Sequence, residues 1–144
     1  MGKLEALARD FFTEVWEEEN AAAIPKWLGA NLEAKGVHKD VVFGPDEFAG
    51  FHAALCELVT DIRVTFVQSV EAAPWLSVCG QFEGACRKTG APISISFQSM
   101  AQFEGEQMVL GFNNIDFIGL FEQLGQIEPA ALDALFTGGR LARA

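Results

Sequence analysis

The sequence predicts an α+β domain in which N-terminal helices cover one face of a curved antiparallel sheet. From Leu4 to Trp16 and from Phe48 to Val59 the apolar residues recur at helical spacing, whereas between Ile62 and Phe117 they alternate in short runs rich in Val, Ile, Phe, Ser and Thr. Helices come first and strands after, without the alternation that would build a parallel sheet. The chain has 144 residues, of which 50% are hydrophobic. That length supports one core without disulfides or a metal.

Leu4, Leu7, Ala8, Phe11, Phe12, Val15 and Trp16 form an unbroken i, i+3, i+4, i+7 series, the signature of an amphipathic helix with one buried stripe. Glu17, Glu18 and Glu19 crowd its far end, where they oppose the helix dipole, and Asn20 offers a break or a new N-cap. A short second helix is expected through Trp27 and Leu28, with Pro25 in its first turns. Gly44-Pro45-Asp46-Glu47 starts a third helix, proline early and acids in the first turn. Its stripe is Phe48, Phe51, Leu55, Leu58 and Val59, with His52 where the pattern asks for an apolar residue. Four strands follow, about Ile62 to Glu71, Leu76 to Cys86, Ile93 to Phe103 and Met108 to Phe117. Their links, at Ala73-Pro74, Lys88 to Pro92 and Glu104-Gly105-Glu106, are too short for a parallel crossover, so the strands form an antiparallel meander. Beyond Gly125 a turn opened by Pro129 runs through Phe136 to Gly138-Gly139 and a basic tail. The expected organisation is one domain over 1–144, with its core at about 4–125 and a C-terminal appendage at 126–144.

Composition excludes several kinds of function. A formal net charge of −10 repels phosphate backbones and anionic headgroups, so neither nucleic acid nor a membrane surface is an expected partner. No apolar run approaches the roughly 20 residues of a membrane helix, and acids near the N-terminus are unlike a signal peptide; the expected location is cytoplasmic. Cys56, Cys79 and Cys86 form no CxxC pair and read as reduced thiols. His38 and His52 are too few for a zinc site, and no glycine-rich phosphate cradle is present, so no metal and no cofactor are expected. No G-x-S-x-G elbow marks a nucleophile. The aromatics are 13 Phe and 3 Trp with no Tyr, which removes the phenol as acid, nucleophile or oxyanion donor.

Words along the chain resemble a known group. Phe12 to Trp16 (FTEVW), Gly44 to Phe51 (GPDEFAGF), Asp61 to Thr65 (DIRVT), Phe82-Glu83-Gly84, Phe103-Glu104 with Gln107, and above all Phe112 to Gly125 (FNNIDFIGLFEQLG) are similar to the SnoaL-like polyketide cyclase or ester cyclase group of the NTF2-like superfamily. The resemblance covers about residues 4–125. It implies an NTF2-like cone, helices packed on a strongly curved antiparallel (mixed) sheet, often dimeric through that sheet. It also implies cofactor-free acid–base chemistry with a carboxylate on the last strand. Asp116 matches that carboxylate, and a register two residues away would put Asn114 there. The chain departs from the group at Ala34 and Lys35, where Asp-His is common, at Phe112, where Trp is common, and in having no His on the four expected strands. Ketosteroid-isomerase-like and scytalone-dehydratase-like sites of the same cone depend on Tyr, which this chain lacks.

On the last strand Phe112, Asn114 and Asp116 share one face, and Gly111, Asn113 and Ile115 the other. If the first set faces the cone, desolvation raises the Asp116 pKa and makes it a general acid or base. Alternatively Asp116 caps the following turn. His52 either pairs with Asp116 across the pocket or is a hydrogen-bonded residue at the core edge. Phe12, Trp16, Phe48, Phe51, Phe97 and Phe112 are expected to line a cavity for a small apolar ligand, with Asn114 and Gln98 as polar contacts; a filled cone is the alternative. Gln98, Ser94 and Ser96 read equally as solvent face, wet dimer interface or pocket lining. Two functions follow: a cyclase or isomerase acting on a small apolar carbonyl compound, or a non-catalytic ligand-binding or dimerising module.

Overall fold

The computed structural model describes residues 2–141. Helix α1 (Lys3–Phe11) continues as a wider π-helical turn over Phe12–Glu17. A 3-10 turn at Ala21–Ala23 leads into the single turn of α2 (Ile24–Trp27). Strands β1 (Leu28–His38) and β2 (Val41–Phe43) form a hairpin, and α3 (Pro45–Leu58) follows. Then come β3 (Val59–Ala72), β4 (Trp75–Cys86), β5 (Pro92–Glu104) and β6 (Gln107–Ile115). Short helices α4 (Phe117–Gln123) and α5 (Ala131–Phe136) close the described chain. The end of the expected basic tail, 142–144, lies outside the described residues.

The sheet order is β2-β1-β6-β5-β4-β3. From β3 to β6 each strand pairs antiparallel with the next, as the short links require, while β1 lies parallel to β6. The sheet is therefore mixed. Sequence pattern finds the meander and misses β1 and β2. In β1 the buried Leu28, Leu32, Ala34 and Val37 are unevenly spaced, because the pairing with β6 shifts register between Leu28 and Glu33. That irregularity hides the period-two signal. Leu28 begins this strand instead of ending a helix, since α2 stops at Trp27.

The first-helix stripe packs as expected, with Leu4, Ala8, Phe11, Val15 and Trp16 buried against the sheet. The start of α3 is fixed by Glu47, whose side chain accepts the Gly44 N–H at 2.8 Å. On the inner face of the sheet β4 contributes Leu76, Val78 and Phe82, and β5 contributes Ile93, Ile95, Phe97, Ala101 and Phe103, all buried. Gly80 leaves room for Phe97: a Cβ there would collide with the ring. No helix among the described residues is long and apolar enough to cross a membrane.

Candidate ligand-binding site

Which residues of β6 face the helices is decided by one extra residue. The β5–β6 hairpin starts with Glu104 opposite Gln107 and Phe103 opposite Met108, but Gln102 lies opposite Leu110. Val109 is thus an unmatched residue, a bulge that shifts all later pairs by one position. Ser99 faces Asn113 and Phe97 faces Ile115. Cross-strand partners share a face, and Phe97 and Ala101 of β5 point inward, so Gly111, Asn113 and Ile115 point inward too. Phe112, Asn114 and Asp116 point outward. This reverses the expectation that placed Phe112, Asn114 and Asp116 in the cone, because a one-residue shift exchanges the two faces of a strand.

Between the inner face and the helices lies a cavity of about 130 Å³. Phe12, Trp16, Phe48, Phe51 and Phe97 border it, together with Phe82, Phe117 and Leu120. Their rings meet mostly edge to face: Trp16 packs on Phe48, Phe51 and Phe82 with centroids 5.9 Å apart, and Phe12 on Phe66 at 5.6 Å. Such pairs hold one another in place and stiffen the wall. Among the described residues no ionisable side chain lines the cavity. Besides the Trp16 indole, its polar side chains are Ser99 and Asn113. Ser99 Oγ and Asn113 Oδ1 are 2.9 Å apart, and Asn113 Nδ2 donates to the Lys35 carbonyl of β1 at 3.1 Å. Gly36, at φ +79°, brings β1 this close; a Cβ there would meet the Asn113 carbonyl oxygen. Neither Ser99 nor Asn113 was singled out from sequence as pocket polarity. Ser99 continues the inward series of Ile95 and Phe97, so alternation along β5 carried that signal.

Asp116 is exposed on the outer side and acts as N-cap of α4, its carboxylate accepting the Gly119 N–H at 2.9 Å. The capping alternative is therefore what the structure contains, and Asp116 does not sit among Phe side chains in the cone. Gln98 and Asn114 lie opposite each other and, with Ser96, Asp116 and Ile118, border an open depression beside the junction of β6 and α4. Phe112 is 43% exposed there and stacks on Trp75, ring centroids 6.4 Å apart. Asn114, Gln98 and Phe112 are thus outside the cavity that they were expected to line.

His52 is 2% exposed and does not line the cavity. Its Nε2 lies 2.6 Å from the Val15 carbonyl oxygen, near the end of the first helical segment, where carbonyls lack helical partners. A carbonyl only accepts, so Nε2 carries the proton. Nδ1 is buried without a partner among the described residues. Trp16 packs on the imidazole at 4.7 Å between centroids. The residue pins α3 to the first helix and does not meet Asp116. Cys56, one turn on, has its thiol pushed up to about 11 by burial, with the nearby Glu19 charge adding to the effect. No group of three or more metal-ligating side chains exists among the described residues.

No protein-family model matches the chain, and no curated protein sequence matches it. Solved structures do match in fold. A SnoaL-like polyketide cyclase from Agrobacterium tumefaciens superposes with a TM-score of 0.68 at 15% identity, over 87% of this chain and 100% of the other. A candidate polyketide cyclase from Acidithiobacillus ferrooxidans gives 0.75 at 16%, over 87% and 96%. A protein with a ketosteroid isomerase-like fold from Catenulispora acidiphila, in complex with trimethylamine, gives 0.70 at 13%, over 87% and 94%. At such identities the likeness speaks for architecture alone. The resemblance read from the sequence is thus shown at the level of fold: the chain is an α+β, NTF2-like cone of the kind found in SnoaL-like and ketosteroid isomerase-like proteins.

Proposed function

We propose that this chain is a small-molecule-binding module whose cone holds a small apolar ligand and performs no acid–base catalysis on it. The observation that carries this reading is the wall of the cavity. Apart from Ser99 and Asn113 it is built from aliphatic and aromatic side chains, with no ionisable group among the described residues, while Asp116 is engaged in capping α4 on the other side of the sheet. A general acid or base must reach the proton it transfers, directly or through one water. The cyclases of the same fold suggest a polycyclic ligand, but size argues for something smaller. An apolar cavity of roughly 150 Å³ takes up a benzene ring, so about 130 Å³ suits a single small ring or a short acyl chain.

Toluene titrated into labelled protein and followed by amide NMR tests the reading. The expected result is saturable shifts at Phe97, Ala101, Gly111 and Asn113, abolished by Ala101→Leu, which fills the cavity. Shifts confined to the outer face, or none at all, would overturn it.

The outer face supports a second expectation, self-association through the sheet. Lys35, Phe112, Met100, Ser77 and Val70 lie side by side across β1, β6, β5, β4 and β3. Phe112, Met100 and Val70 in this row are 43%, 40% and 63% exposed. An apolar band crossing a sheet with polar flanks suits an isologous contact with a second copy.

A further inference from the structure

We propose that the cone selects a small ligand carrying a hydroxyl group, which gives its proton to Ser99 Oγ, over the ketone or hydrocarbon of the same size. The inference rests on the binding reading above and names the ligand class for that same cavity. It starts from the Lys35 carbonyl, which can only accept a hydrogen bond. The Asn113 amide next to it must therefore present Nδ2, at 3.1 Å. That orientation turns Asn113 Oδ1 toward Ser99, whose oxygen is 2.9 Å away. An amide oxygen also only accepts, so the Ser99 hydroxyl spends its one proton there. What remains on Ser99 Oγ is lone pairs, on a wall whose other polar side chains are Asn113 and the Trp16 indole.

A backbone carbonyl on β1 thus decides, through two side chains on β6 and β5, that this point of the cavity is an acceptor. A ligand hydroxyl satisfies it by donating. Its own oxygen can in turn accept from an N–H such as the second Nδ2 proton of Asn113, which has no partner among the described residues. A ketone offers no proton. To bind Ser99 it would have to draw the hydroxyl away from Asn113, leaving the amide oxygen unpaired in an apolar surrounding, which costs more than one such bond returns. A hydrocarbon leaves the Ser99 lone pairs facing carbon.

Two pairs of probes of matched size test this by affinity, phenol against toluene and cyclopentanol against cyclopentanone. Each is titrated into the wild type and into Ser99→Ala. The alcohol of each pair is expected to lose about tenfold in affinity relative to its partner when Ser99 becomes Ala, as one lost hydrogen bond implies. Toluene should bind the variant at least as tightly as it binds the wild type. Ser99→Thr, which keeps the oxygen, should keep the alcohol preference. An unchanged ratio in Ser99→Ala would overturn the inference, as would cyclopentanone binding the wild type more tightly than cyclopentanol. Should none of the four probes bind the wild type, it is the cavity reading that fails; toluene binding with no role for Ser99 sinks the hydroxyl selection alone.

Discussion

Asp116 satisfies a backbone donor that the first turn of α4 leaves without a helical partner, the Gly119 N–H at 2.9 Å. Asp116→Ala should therefore cost about 1 kcal/mol of stability in chemical denaturation, whereas Asp116→Asn, an equally good cap, should be nearly neutral. Neither should change toluene affinity; a loss of binding in the Asn variant would return the carboxylate to the site. Cys56 gives a pH dependence. Its thiol is raised from the ordinary value of 9.0 to about 11 in the folded chain. Between those values the unfolded state has released the proton and the folded state has kept it, so stability falls as pH rises through that window. The contribution is fully present below pH 9. Comparing denaturation midpoints of wild type and Cys56→Ala from pH 8 to 11 should show the wild type losing more. At this scale the sequence was legible where a residue acts within its own neighbourhood: the Asp116 cap alternative was readable from the turn that follows it. Ser99 and Asn113 were not, because their pairing joins β5 to β6 and the Lys35 partner comes from β1.

Helix α4 closes one side of the cavity with Phe117 and Leu120, and a single side chain ties its far end down. Gln123 Oε1 accepts the Ser94 N–H at 2.6 Å and Nε2 donates to the Ser94 carbonyl at 2.9 Å, as a neighbouring strand would. The Gln123→Ala variant should open the end of α4. Hydrogen exchange at residues 117–123 is expected to accelerate while β4 and β5 keep their protection, at a cost of about 1 kcal/mol. Equal exchange in both proteins would show that burial of Leu120 alone holds the helix. The helices α1 and α3 and strands β3 to β6 were readable because each carries a regular period along most of its length. The strand β1 was not, since its register shift breaks the alternation, and β2 spans only Val41–Phe43.

Across the whole molecule the two faces of the sheet are used differently, the inner one for the cavity and the outer one carrying the exposed row through Phe112 and Met100. If that row joins two copies, Phe112→Glu should place like charges opposite each other at the two-fold contact. Sedimentation velocity at micromolar concentration should then show monomer for the variant and dimer for the wild type, with toluene affinity unchanged. A monomeric wild type would remove the dimer.

The sequence by itself determined the α+β class, the antiparallel meander and the helical stripes, because each depends on periodicity within one segment. The absence of Tyr was equally plain from composition. Tertiary structure alone decided which face of β6 meets the ligand space. One unmatched residue at Val109 moves Asn113 inward and Phe112, Asn114 and Asp116 outward. Such a bulge is a property of two strands paired together, and the period of either strand alone does not contain it.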